Sequence, residues 1–517
     1  MPIEKFRPNT LLVDIPPSER DINAVDGENV QFRNGFCSRS KGWAPYGPAC
    51  PGEPHWLLNT PHAGINYWIA GADDGVYLFD GNIWTNITPA PFNPPDEYNQ
   101  YTGGILNGVP VINLGCDAGN VPWYLDFSDL TALKPLPGWL PNTSVRWLRP
   151  FKFHLMAGDV TESSVNIPDK VIWSTAAEPG TVPATWVPDI DNSAGDTAIG
   201  DSESPAIDGA ALRGTFIIYK TRSCYTVNFV GGTFVFSFRQ LFTTLGVLAR
   251  NCVQEYQGVH YVLGDGDAWQ HDGQNMQSLW WGRIQSTVFK RIDPVAFRYS
   301  FVAVSKPTNE VLFCVADTGE PIPNIAITYA VNSDSIGGRF ISNTAHMSNG
   351  VVSLGDGDDT WATGGEPPDT WADGLAIAWK QSQFNPSSDG LLMAIPGVSA
   401  LYELDGAFTD ELGEPITGLV TKREYDHGDP QNYKLVTRIW PRISADAGAN
   451  VQVRVGGQSN EGSAVTWSAP VNFSPDVDEY VDTFAEGRFL NYEFIMTEGA
   501  RVQLEGWDVE LDISGRY

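Results

Sequence analysis

Basic residues are scarce in this chain. Against 62 Asp and Glu stand only 32 Lys and Arg, a formal charge of −30 over 517 residues. Gripping nucleic-acid phosphates takes a basic footprint, so this balance argues against ordinary nucleic-acid binding. It leaves two readings open: a charged, soluble exterior, or a surface that DNA passes without sticking. Cysteine is sparse too. The six, Cys37, Cys50, Cys116, Cys224, Cys252 and Cys314, lie far apart and form no CxxC pair. Most sit in apolar runs such as Leu312-Phe-Cys-Val315, as buried reduced thiols do. The opening Met1-Pro-Ile-Glu-Lys5 has no apolar core of a signal peptide. No stretch of about 18 apolar residues occurs, so no membrane insertion by a helix is expected. Together these predict folding in a reducing compartment.

Catalytic and metal-binding constellations are also missing. The histidines His55, His62, His154, His260, His271, His346 and His427 make no HxxxH or HxH. His55 and His62 share a Pro-rich segment read as a loop, but no Cys or Asp joins them at ligand spacing. Gly355-Asp-Gly-Asp-Asp-Thr-Trp361 begins like a calcium loop, with Asp356 and Asp358 in place, yet the distal Glu is absent. As an Asp-box of sialidase propellers it fails as well, since Ser353 stands one position too far from Asp356. It reads as an acidic turn. No arginine cluster marks a sialidase pocket. With 62 acids a glycosidase pair is not excluded, but nothing points to one. No GxSxG, Walker or dinucleotide fingerprint appears. The expectation is a non-enzyme, with no catalytic, cofactor-binding or metal residues and no cofactor.

What is present is glycine (52), proline (37), tryptophan (18) and a repeated phrase. Val76-Tyr-Leu-Phe-Asp-Gly81, Ala268-Trp-Gln-His-Asp-Gly273 and Leu401-Tyr-Glu-Leu-Asp-Gly406 share one pattern: apolar, aromatic, two variable residues, Asp-Gly. The first two follow acidic glycine turns, Gly71-Ala-Asp-Asp-Gly75 and Gly264-Asp-Gly-Asp267. An aromatic in a half-buried strand followed by Asp-Gly is a hairpin signal. Reused at wide intervals, it marks a radial or stacked β architecture.

The chain divides into three. Residues 1–50 read as an N-terminal arm with one hairpin, Glu28–Arg33 and Phe36–Arg39 about Asn34-Gly35. Residues 51–400 carry short aromatic and β-branched runs bounded by Gly, Pro, Asp and Asn, the pattern of a β-propeller of five to seven blades. Runs such as Thr215–Lys220, Val259–Leu263, Arg298–Val304, Glu310–Val315 and Gly374–Trp379 belong to this series. No helix longer than about 12 residues is expected. From 401 to 517, Lys434–Trp440, Asn450–Val455, Tyr492–Met496 and Ala500–Leu511 alternate with period two, as strands of a small antiparallel β-sandwich do. The fold class is therefore all-β.

One continuous stretch is more specific. Val171-Ile-Trp-Ser174, Glu178-Pro179, Trp186, the turn Gly200-Asp-Ser-Glu203, strands Leu212–Lys220 and Ser223–Phe229, Gly231-Gly232, Gly246, and Val253–Gly273 follow in order. This order resembles the β-propeller nozzle, or tail-hub, proteins of short-tailed bacteriophages. Gly27-Glu-Asn-Val-Gln-Phe-Arg-Asn-Gly35 resembles that family's N-terminal segment. Lys434, Trp467-Ser468, Phe473, Gly487-Arg-Phe489, Gly506 and Gly515-Arg516 resemble its closing β domain. The resemblance implies a virion structural protein of the tail, assembled in the bacterial host cytoplasm. It implies a homomeric ring, commonly six copies, bound to a tail adaptor ring and to receptor-binding fibres or spikes. Genomic DNA would leave through the ring without specific binding, and a wall of like charge suits that passage. Asp356, Asp358 and Asp359 are candidate channel-facing residues, with a solvated outer loop as the alternative. The competing function is a carbohydrate-binding, lectin-like propeller or a propeller glycoside hydrolase.

Overall fold

A computed structural model describes residues 3–16, 24–33, 35–96, 100–115, 121–200, 204–232, 235–352, 389–497 and 500–516. Its chain is nearly all β. The repeated phrase falls on one structural position. Val76–Phe79, Ala268–His271 and Leu401–Leu404 are each the third strand of a four-stranded antiparallel sheet. The acidic turn before the first two closes the hairpin from the second strand, through Ala72 N to Gly75 O and Gly264 N to Asp267 O. The Asp-Gly after them opens the fourth strand. Asp80 Oδ1 accepts from Asn82 and Ile83 N–H, and Asp272 Oδ1 from Gln274 and Asn275 N–H. Gly81 and Gly273 then take φ of +99° and +89°, which glycine adopts without steric cost.

The sheets form a β-propeller. Six separate four-stranded sheets and a seventh set, Phe301–Ser305 to Ser335–Phe340 inside a larger sheet, supply the blades. Their first strands begin at Pro54, Tyr101, Thr143, Ala206, Val253, Phe301 and His346, and each packs against the next until His346–Val351 meets Pro54–His62. Sheets stacked on both faces bury entire strands. Val109–Leu114 and Glu310–Val315 are buried at every position, so apart from Asn113 and Glu310 they read as apolar runs. Trp43, Trp68, Trp123, Trp147, Trp186 and Trp280 are fully buried within these layers. The seventh blade takes its fourth strand from the other end of the chain: Trp43–Tyr46 pairs with Leu401–Leu404. Thus residues read as part of the arm, and residues read as part of the C-terminal unit, together close the ring.

The rest of the arm is woven into the C-terminal sandwich. Ala24–Glu28 extends one sheet beside Gly418–Tyr425, Phe489–Met496 and Val451–Gln458. Ile3–Phe6 pairs with Val502–Arg516 in the facing sheet, beside Asn432–Ala445 and Val481–Gly487. The expected hairpin, Val30–Arg33 with Phe36–Arg39, bridges the sixth blade to Val502–Arg516. One ten-stranded sheet therefore runs from propeller to sandwich. In the sandwich the alternation read over Asn450–Val455 is present, with Val451, Val453 and Val455 buried and Gln452 and Arg454 half-buried. In Tyr492–Met496, by contrast, Glu493 is buried along with its neighbours because it pairs with Arg454.

Trp507 sits at the centre of that sandwich, 1% exposed. It stacks on Phe6 at 5.1 Å and touches Phe494 at 4.7 Å. Trp507→Ala should cost about 3–5 kcal/mol, as large aromatic truncations in cores do. A urea melt of the variant checks this, and an unchanged midpoint would refute the packing role. Arg488 is tied into its turn: Nε donates to Pro430 O at 2.8 Å.

Two expectations need correction. The Pro-rich segment Pro54–His62 is a strand, not a loop. Its extended backbone sets His55 and His62 about 23 Å apart, so they share no metal site. Arg298 and Tyr299 belong to a 3-10 turn, Ala296–Tyr299, and the strand starts at Phe301. A short helix, Gln285–Arg291, also interrupts the β series. Its N-terminus is capped from the arm: Asp14 accepts from Ser286 N and Thr287 N at 2.5 and 3.0 Å. A cap contributed from 272 residues away leaves no local sequence signal.

Candidate functional site

Seven inner strands cannot close completely on one axis. Small residues, including Gly103, Gly104, Gly209, Ala210 and Ala303, let them approach, and two chambers remain. The axial chamber is about 460 Å³ and the mouth chamber about 220 Å³. Both are lined in part by Trp56, Asn251 and His346, where they meet.

Against the axial chamber lies a buried ion pair. Arg149, from the third blade, gives Nε to Asp208 Oδ1 at 2.9 Å and Nη2 to Oδ2 at 2.8 Å. Its Nη2 also reaches Asn251 Oδ1 at 2.7 Å, and Nη1 reaches Gly103 O at 3.2 Å. Asp208 further accepts from Gly209 N and Asn251 N, both at 2.8 Å. Asn251 adopts a φ of +61°, a left-handed conformation that Asn tolerates, and so presents its N–H to the carboxylate. The Asp208 side chain is 0% exposed and that of Arg149 18%. Such a pair survives burial only when its remaining hydrogen-bonding capacity is met, as it is here. The arrangement ties the second, third and fourth blades to the Asn251 turn that leads into the fifth.

His346 closes the circuit between the seventh and first blades. Its Nδ1 accepts from Leu57 N–H at 3.3 Å, so the proton of the neutral ring is on Nε2. Burial, and secondarily Arg149, push its pKa down to about 3. Beside it, Trp56 stacks on Tyr101 at 6.0 Å, and the Tyr101 hydroxyl donates to Ala72 O at 2.7 Å. His55, on the same strand as Trp56, is also held below its usual range by burial, with Asp73 and Glu53 opposing.

A second polar cluster lies between the fourth and fifth blades, and its side chains line neither chamber. Tyr219 Oη is 2.7 Å from His260 Nδ1 and 2.5 Å from His271 Nε2. His260 Nε2 donates to Ala211 O at 2.8 Å, so its Nδ1 must accept the Tyr219 proton. His271 Nε2–H then donates to Tyr219. Burial pushes His260 down to about 4 and His271 to about 3. All three are buried, which makes this a fixed structural relay rather than a reactive centre.

Cys37, Cys50, Cys224, Cys252 and Cys314 are free and buried. Cys116 lies outside the described residues, as do Asp356, Asp358 and Asp359, the rest of the 355–361 turn and the Gly374–Trp379 run. Among the described residues no group of three or more His, Cys, Asp or Glu is placed to hold a metal ion. No helix among them is long and apolar enough to cross a membrane. Sequence reasoning missed Arg149, Asp208 and Asn251. The available signal was Asp208 inside the apolar run Ala206–Leu212, since a charge in a buried strand requires a partner.

No protein family matches this chain, and no curated protein does. Among solved structures it is similar to a novel fungal alcohol oxidase with catalytic diversity among the AA5 family, in complex with copper. The TM-score is 0.40 and the identity 11%, over 91% of this chain and 99% of that one. Likeness at that level carries nothing about the chemistry of this chain.

Proposed function

We propose that the chain is a structural subunit of the tail nozzle, or hub, of a short-tailed bacteriophage. In this reading several copies, six by family resemblance, form a closed ring through heterologous contacts. The ring docks on the tail adaptor, carries fibres or spikes, and lets genomic DNA leave through its lumen. The observation that carries the proposal is the ten-stranded sheet joining the sixth blade, the arm hairpin and the sandwich. It welds two units into one body, as a subunit under load requires. The net charge of −30 supports passage of a polyanion without capture.

The same geometry constrains the lumen. Chambers of about 460 and 220 Å³ are of small-ligand size or below, and Arg149, paired with Asp208, stands in the wall of the larger. A duplex therefore has no route along the axis of one propeller. The lumen must lie between copies.

Two outcomes are expected of the purified chain. Duplex DNA in a gel-shift titration at physiological salt should stay free through the ~10⁻⁶ to 10⁻⁴ M range typical of non-specific binders. Retention in that range would count against the reading. Sialosides, polysaccharides, esters and nucleic acids should not be turned over. Turnover abolished by changing one carboxylate would place the hydrolase reading first.

A further inference from the structure

We propose that the mouth chamber binds a single hydroxyl-bearing ring, a monosaccharide or one unit of a polysaccharide. The inference does not depend on the tail reading. It starts from hydrogen-bond accounting. Around Arg149 the polar groups find partners. Along the mouth chamber three donors do not. Ser300 is 1% exposed, lines the chamber, and its Oγ meets no partner. Trp56 lines it as well, and its indole N–H donates to no described residue. His346 spends only Nδ1, on Leu57, which leaves the Nε2 proton uncommitted. One buried hydroxyl without a partner and two uncommitted N–H donors on one small chamber call for an occupant.

The lining defines that occupant. Trp56 N–H, His346 N–H and the Ser300 hydroxyl offer donors, while Asp96 and the Gln100 carbonyl offer acceptors. A ligand that both accepts and donates fits this set, as hydroxyl groups do. Pro95, Tyr299, Phe301, Pro321 and Ile322 supply apolar wall for the carbon face of a ring. Phosphate fits poorly. Both imidazoles are neutral at pH 7, and the one guanidinium, Arg250, shares the wall with Asp96 and already donates to Arg146 O at 3.4 Å. The chamber, about 220 Å³, is below the range of drug-sized sites, which limits the ligand to about one ring.

The test is saturation-transfer NMR on the full-length chain with D-glucose, D-galactose and D-mannose, and with inorganic phosphate as competitor. At least one sugar should bind with a dissociation constant no weaker than about 10 mM, and phosphate should not displace it. Trp56→Phe keeps the stacking ring but removes the N–H, and Ser300→Ala removes the hydroxyl. Each should weaken binding up to about tenfold, the worth of one hydrogen bond, with the melting temperature retained. No transfer from any of the three sugars would overturn the proposal, and the wild-type panel alone suffices for that. Displacement by phosphate, or binding unchanged in both variants, would overturn it equally.

Discussion

Asp208→Ala should destabilise the propeller by about 3–5 kcal/mol, the usual cost of leaving one member of a buried ion pair alone. Asp208 is 0% exposed in its side chain and accepts from Arg149 twice, Gly209 and Asn251. Removing it strands the Arg149 guanidinium on the axis and orphans two backbone N–H groups. Because the network joins three blades and the Asn251 turn, the loss should appear in the main unfolding transition rather than as local fraying. The double replacement Arg149→Met with Asp208→Leu should recover much of the loss, since a packed apolar pair needs no desolvated charge. Urea unfolding of the three variants measures both effects. A loss below about 1 kcal/mol for Asp208→Ala, the level of an exposed pair, would contradict the role given to the network.

Acid should destabilise the chain well above the carboxylate range. His260 and His271 are 0% and 1% exposed and held neutral, at about 4 and about 3. His154, 2% exposed, is likewise pushed down to about 4 by burial. In the unfolded chain each would titrate near ~6.5. Below that pH the unfolded state binds protons that the folded state refuses, so stability falls as pH falls. Each such histidine contributes up to about 1.4 kcal/mol per pH unit until its folded value is reached. Ordinary carboxylates hardly titrate in the window between about pH 6.5 and 5. Asp159, Asp267 and Glu403, pushed up by burial, gain protons in the folded state and act the opposite way, so the comparison with a histidine variant isolates the histidine share. Urea unfolding across this window should show a steep decline in wild type and a shallower one in His271→Phe. Stability constant from pH 7 to 5 would show that these rings are not buried neutral.

How much of this was legible in the sequence depends on the range of the interaction. The three Asp-Gly phrases gave the third strand of three blades because hairpin turns are local chemistry. Glu310–Val315 and Thr215–Lys220 were readable as strands because burial on both faces selects one residue type. The blade period was hidden by the long connection between Val165–Trp173 and Gly195–Ala198 in the third blade. Closure by Trp43–Tyr46 was invisible, since its partner lies more than 350 residues away. So was the Asp14 cap, without which Gln285-Ser-Thr-Val-Phe-Lys-Arg291 shows no helix start. The polar core of the axis was missed for the same reason. Asp208 is visible as a charge in an apolar run, but Arg149 and Asn251 are ordinary in sequence, and all three are meaningful only where the blades meet.

Cryo-electron microscopy of the assembled particle tests the central proposal most directly. It should place this chain at the distal end of the tail, in a closed ring whose DNA path runs between copies and is faced by acidic or neutral side chains. A position on the capsid, or a lumen lined with Lys and Arg, would contradict it.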